Sequence, residues 1–159
     1  MTPPSPIELE ALSLSLKVAF WSTLITLPIG IFTAWLLARK DFYGRAFLNG
    51  IIYLPLVLPP VVIGFFLLSM FGQNGPIGEI LDNIFGITVI FTWQGAAIAS
   101  GVMSFPLMVR AIRISFETVD RKLEAAARTL GASPFRVFYS ITLPLISPGI
   151  LAGTLLAFA

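Results

Sequence analysis

Apolar and polar positions follow one another in long blocks along this chain. Four stretches are apolar over enough residues to cross a bilayer, at about Leu12–Ala38, Phe47–Phe71, Thr88–Ile112 and Phe138–Ala159; a spanning helix needs roughly 20 mostly apolar residues. In the first, Leu14, Val18, Trp21 and Ile25 recur at helical spacing, and Lys17 sits near one end, where its stem can reach the interface. The second contains YLPLVLPPVVIGFF. Its Pro55, Pro59 and Pro60 predict a bent or broken span, because proline removes a backbone hydrogen bond and crowds the preceding turn. The third has Trp93 and Gln94 as interface anchors at one end, then small residues from Gly95 to Ser104 that predict close helix packing. The fourth holds Pro144, Pro148, Gly149 and Gly153.

Between the last two stretches lies a segment of different character. Leu123, Ala126, Ala127 and Leu130 fall at i, i+3, i+4 and i+7, one stripe of a helix, with Arg121, Lys122, Glu124 and Arg128 largely off it. Asp120 or Thr118 can cap its start, and Gly131 can take the left-handed conformation that ends a helix. Ser133-Pro134 then reads as a cap followed by proline at the first position of the next helix. A surface helix that merely closes a loop and a docking knob for a partner both fit this pattern.

Charge orients the blocks. Arg39, Lys40 and Arg45 lie in one connection and Arg110, Arg113, Arg121, Lys122, Arg128 and Arg136 in another, nine of the ten basic residues. The connection Gly72–Ile87 carries Glu79 and Asp82 but no Lys or Arg. The positive-inside rule puts the two basic connections in the cytoplasm, and the N-terminus and GQNGPIGEILDNIFG outside.

Composition agrees. Hydrophobic residues make up 57%, charged ones 11%, and mean hydropathy is +0.92; a soluble domain carries about 25% charged residues. The expected fold class is therefore all-α, a polytopic membrane helix bundle. The pI near 9.3 reflects a net charge of only +2, placed beside apolar spans, so it marks topology and not a nucleic-acid partner. With no cysteine and no histidine, disulfides, thiolate chemistry, His acid–base work and ordinary zinc sites are excluded. No carboxylate lies within a span, which leaves a membrane enzyme little to work with, so no catalytic residue, metal or cofactor is assigned. The opening MTPPSPIELEALSLSLKVAF lacks a basic region before its apolar run and a cleavage site after it, so the first span is expected to be retained. The ending GTLLAFA has no polar flank, and the expectation is a chain cut short at its C-terminus.

From Gly131 onward, nine residues, Ile141, one residue, then Leu143-Pro144 resembles the EAA loop of ABC-importer permeases, where Glu-Ala-Ala precedes the glycine by three residues. The two alanines fall on Ala126 and Ala127, whereas Ala125 occupies the place of the glutamate. Glu124 stands one position earlier, rotated by about 100° around the helix. LPLVLPPVVIGFFLL, FGQNGPIGEILDNIFGI, FTWQGAA and FPLMVRAIRISFETVDRKLEAAARTLGASP extend the likeness over essentially the whole chain, to the molybdate-importer permease family. Members of that family continue past the equivalent of Ala159 with at least one more span, and sulfate and thiosulfate permeases share the loop.

The resemblance implies a type I ABC-importer permease fold in the cell inner membrane, with the helix at about 120–135 as a cytoplasmic coupling helix. Leu123, Glu124, Ala126, Ala127, Leu130, Gly131, Ile141, Leu143 and Pro144 would serve contact with the ATPase. Implied partners are a cytoplasmic ABC ATPase, a periplasmic or extracellular oxyanion-binding protein, a second copy of the permease and the bilayer. The chain has no Gly-x-x-x-x-Gly-Lys-Ser/Thr loop, so ATP would be handled by the separate subunit. No Lys or Arg lies deep in a span, which leaves tight anion selection to the binding protein. Ser100, Ser104 and Thr154 are candidate path-lining groups, alongside backbone freed near Pro55, Pro59 and Pro60; ordinary small-residue packing explains the same residues. A sulfate or thiosulfate permease and a passive anion channel remain as alternatives.

Overall fold

The computed structural model describes residues 5–72, 75–86 and 88–159. Met1–Pro4 and, from the acidic connection, Gln73, Asn74 and Ile87 lie outside them. Every regular element among the described residues is helical. α1 runs over Pro6–Arg39, α2 over Arg45–Val57, α3 over Pro60–Phe71, α4 over Pro76–Phe85, α5 over Trp93–Thr118 and α6 over Arg121–Thr129. The last helix begins as α7, Pro134–Val137, widens into a π-turn at Phe138–Thr142 and continues as α8, Leu143–Phe158.

α1 begins earlier than its apolar run. Ser5 and Glu8 form a capping box: the Ser5 N–H donates to the Glu8 carboxylate at 2.7 Å and the Glu8 N–H donates to Ser5 Oγ at 3.4 Å. Two free N–H groups of the first turn are thereby satisfied in a polar segment that hydropathy alone would not mark as helix. The third apolar stretch is displaced in the other direction. α5 starts at Trp93 and not at Thr88, because Thr92 is its cap, its Oγ1 accepting from the Gly95 N–H. It then runs past Ile112 to Thr118, through Arg110 and Arg113; hydropathy marks the lipid-facing length, not the end of the hydrogen-bonded ladder.

The second stretch is two helices. α2 and α3 meet at Leu58-Pro59 with a bend of 112°. At 1.5 Å per residue they rise about 20 Å and 18 Å, each short of a hydrocarbon core of about 30 Å. Among the described residues three helices are long and apolar enough to cross a membrane by themselves, α1, α5 and the composite Pro134–Phe158, and the bent α2–α3 pair makes a fourth span if taken as one. The acidic connection also differs from a plain loop. Pro76–Phe85 is helical, ended by Gly86 in the left-handed region at φ +63°.

The core lies where α1, α5 and α8 meet. Leu37, Met108, Ile112, Phe116 and Ile146 are fully buried there. For helices in lipid, moving apolar surface from one hydrocarbon setting to another gains little, so close van der Waals contact must hold the seam. Small residues permit it. A methyl group on Gly149 would overlap the Ser115 side chain and lie 3.0 Å from the Ala111 carbonyl oxygen; one on Gly153 would lie 3.1 Å from the Met108 carbonyl oxygen. Gly149 and Gly153, four residues apart, thus present one smooth face of α8 to α5.

α1 and α5 run in the same direction. At one end the Lys17 Nζ sits 4.1 Å from the centre of the Trp93 ring. At the other, the end of α1 lies against α6.

Candidate functional site

α6 is set by its caps. Asp120, and not Thr118, is the N-cap: its carboxylate accepts from the Lys122 N–H at 2.9 Å, whereas the Thr118 hydroxyl donates within α5 to the Ser115 carbonyl. At the far end the Leu130 N–H donates to the Ala126 carbonyl and the Ala132 N–H to the Ala127 carbonyl, while Gly131 adopts φ +84°. The chain reverses there. Ser133 caps the next helix, its Oγ accepting from the Arg136 N–H, with Pro134 in the first turn. The helix foreseen over about 120–135 is therefore interrupted, ending at Thr129 and restarting at Pro134.

The apolar stripe of α6 is left mostly uncovered. Leu123 is 50% exposed and Leu130 89%; Ala126 is exposed and Ala127 half-buried. Phe135 on α7 adds another exposed ring, 4.8 Å from that of Tyr139. A groove of about 750 Å³ opens beside them, bounded by Phe32 and Trp35 of α1, Glu124 and Arg128 of α6, and Phe135 and Tyr139.

Glu124 borders that groove but is held toward the bundle. Its Oε1 accepts from Arg39 Nη2 at 2.7 Å and from Thr142 Oγ1 at 2.9 Å. The Arg39 and Glu124 side chains are only 10% and 17% exposed, and Thr142 is buried. Arg121 adds a second tie, donating to the Ala38 carbonyl at 3.3 Å. The coupling candidates thus separate: Leu123, Ala126, Leu130 and Gly131 lie outward, while Glu124 is turned into the bundle. Ile141 lies half-buried in the π-turn, Leu143 packs against the core, and Pro144 is an exposed residue in the first turn of α8.

The path candidates lie on two helices, Ser100 and Ser104 on α5 and Thr154 on α8. The Ser104 hydroxyl donates to the Gly101 carbonyl and that of Thr154 to the Ile150 carbonyl, each bonded within its own helix. Neither these two nor Ser100 lines the apolar cleft of about 490 Å³ between α1, α2 and α5. Its polar lining comes from Ser22, Thr26 and Gln94, with Pro55 beside them. Ser22 Oγ and Gln94 Oε1 are buried without a hydrogen-bond partner. Sequence reasoning placed Gln94 at the interface and passed over Ser22. Gly101, 79 positions away, is what lets α5 approach Ser22 so closely.

Long apolar helices joined at one end by a short amphipathic helix with an uncovered stripe define a polytopic membrane protein. The chain belongs to the family described as binding-protein-dependent transport system inner membrane component, whose profile matches residues 26–159. It is 58% identical over 153 residues to the molybdenum transport system permease protein ModB of Haemophilus influenzae, covering 96% of this chain and 67% of that one. To the protein of the same name from Escherichia coli it is 60% identical over 152 residues, covering 96% and 66%. A probable sulfate transport system permease protein, cysT, of Chlorella vulgaris is 35% identical over 154 residues, covering 97% and 58%. The chain spans about two thirds of the length of the first two relatives.

Proposed function

We propose that this chain is the membrane-spanning part of an ATP-driven importer for molybdate or its close analogue tungstate. Its partners in this reading are a cytoplasmic ATPase, an external oxyanion-binding protein and a second copy of the permease. The observation that carries the coupling role is the uncovered stripe Leu123, Ala126 and Leu130 on a helix otherwise fixed to the bundle. The higher identity to molybdenum permeases than to a sulfate permease supports the choice of anion.

In this reading the α6 end faces the cytoplasm, in keeping with nine of ten basic residues in the connections there. Closure of the ATPase dimer pushes on α6. The turn at Gly131 and the continuous helix from Pro134 pass the displacement into the bundle. Selection rests with the binding protein, since the cleft between α1, α2 and α5 offers hydroxyls and an amide but no cation.

Uptake into vesicles holding the assembled importer tests both parts. Labelled molybdate should enter only with ATP inside, and tungstate should compete while equimolar sulfate does not. Leu123→Asp should abolish co-purification with the ATPase and leave thermal stability within about 0.5 kcal/mol, as for an exposed position. Uptake without ATP would make the protein a passive channel, and effective competition by sulfate would reassign the anion.

A further inference from the structure

Glu124 joins three elements that are distant in sequence. Arg39 is the last residue of α1, Glu124 lies in the first turn of α6, and Thr142 closes the π-turn of the last helix. One carboxylate oxygen accepts from both partners, at 2.7 Å and 2.9 Å. A buried ion pair holds its geometry firmly, because removing either member leaves the other charge uncompensated. The π-turn contributes as well: a widened turn re-aims the side chains it carries, and such turns concentrate at functional positions. Here its last residue supplies the hydroxyl that meets Glu124.

We infer that Glu124 is a positioning residue for coupling: its carboxylate, held by Arg39 and Thr142, makes α6, the end of α1 and the start of α8 one mechanical unit. The inference rests on the importer reading above and assigns Glu124 a different task from a docking contact. The outward stripe meets the ATPase, and Glu124 ensures that α6 does not move alone. A push on α6 then displaces the long helix before the broken α2–α3 pair together with the helix that packs on α5. Without the clamp, α6 would yield on its own and hydrolysis would be lost to the pore.

The test uses the permease assembled with its ATPase and binding protein. Glu124→Ala and Arg39→Ala should each leave association with the ATPase intact and lower anion transported per ATP by about tenfold, the range of a charge-assisted hydrogen bond. The double variant should be no worse than the worse single one, since each removes the same interaction. Thr142→Val, which removes only the hydroxyl, should show a smaller loss of the same kind and guards against misfolding of the charge variants. These 159 residues contain no cysteine, so a pair of spin labels at Lys40→Cys and Lys122→Cys in the same chain reports the distance between α1 and α6. That distance should stay narrow and constant through the ATP cycle and should broaden in Glu124→Ala. Loss of ATPase association in Glu124→Ala but not in Arg39→Ala would make Glu124 a docking contact and overturn the clamp, as would additive losses or an unchanged transport ratio. A wild type that associates with no ATPase overturns the importer reading itself.

Discussion

At Gly131 the backbone takes φ +84° with open space around it. The demand is therefore conformational and not steric: a residue bearing a Cβ loses about 1–2 kcal/mol in this region. Gly131→Val should fray the end of α6, weaken ATPase association and lower thermal stability by roughly that amount. Gly131→Asn, which tolerates the left-handed region better, should recover most of both; equal behaviour of the two variants in a co-purification assay would remove the turn from the account. The glycine, the alanines and the Ser133 cap were legible because they act over a few residues, while the cap of α6 was narrowed only to Asp120 or Thr118. The orientation of Glu124 was not, since Arg39 lies 85 positions away and a helical wheel carries no information about what packs on each face.

Among the elements, the seam between α5 and α8 leaves little room for a larger residue. Gly149 lies against Ser115 and Ala111 with no room for a side chain. Gly149→Leu should part the two helices and reduce the folded fraction in detergent, measured by thermal unfolding and by size-exclusion behaviour. The cost should exceed the about 1–3 kcal/mol typical of overpacking, because two backbones and not a flexible side chain would have to move. Gly64, inside α3 with nothing near an added Cβ, makes the control: Gly64→Ala should not destabilise the protein and should raise its stability by up to about 1 kcal/mol through helix propensity. Proline spacing foretold that the second apolar stretch would break. The angle of 112° was not in the prolines, because a kink's size depends on what receives the freed ends. α4 was missed for a related reason: flanking glycines and two acidic residues read as a loop, whereas Pro76 in its first turn and Gly86 after it also delimit a helix.

For the whole molecule, the charge distribution makes a directional claim. Single cysteines at Glu79 and Lys122 should react from opposite sides: an impermeant maleimide should label Glu79→Cys in intact cells and Lys122→Cys only in inverted vesicles. The reverse pattern would invert the topology. Either way both α1 and α5 leave the bundle at the α6 end, as the contacts of Arg39 and Arg121 require.

The sequence by itself determined what depends on composition and near neighbours. Apolar blocks of spanning length, their helical character, the asymmetry of Lys and Arg, the amphipathic α6 and its terminating glycine all follow from side-chain chemistry within about one or two helical turns. Only the tertiary structure decided which face of each helix meets another. It turned Glu124 inward, left Leu123 and Leu130 exposed, set Ser22 and Gln94 without partners around an apolar cleft, and bonded Ser104 and Thr154 within their own helices. In a chain apolar on nearly every face, hydrophobicity does not choose the contact. Close approach at small residues and a few polar bonds between distant segments choose it, and those exist only once the helices have packed.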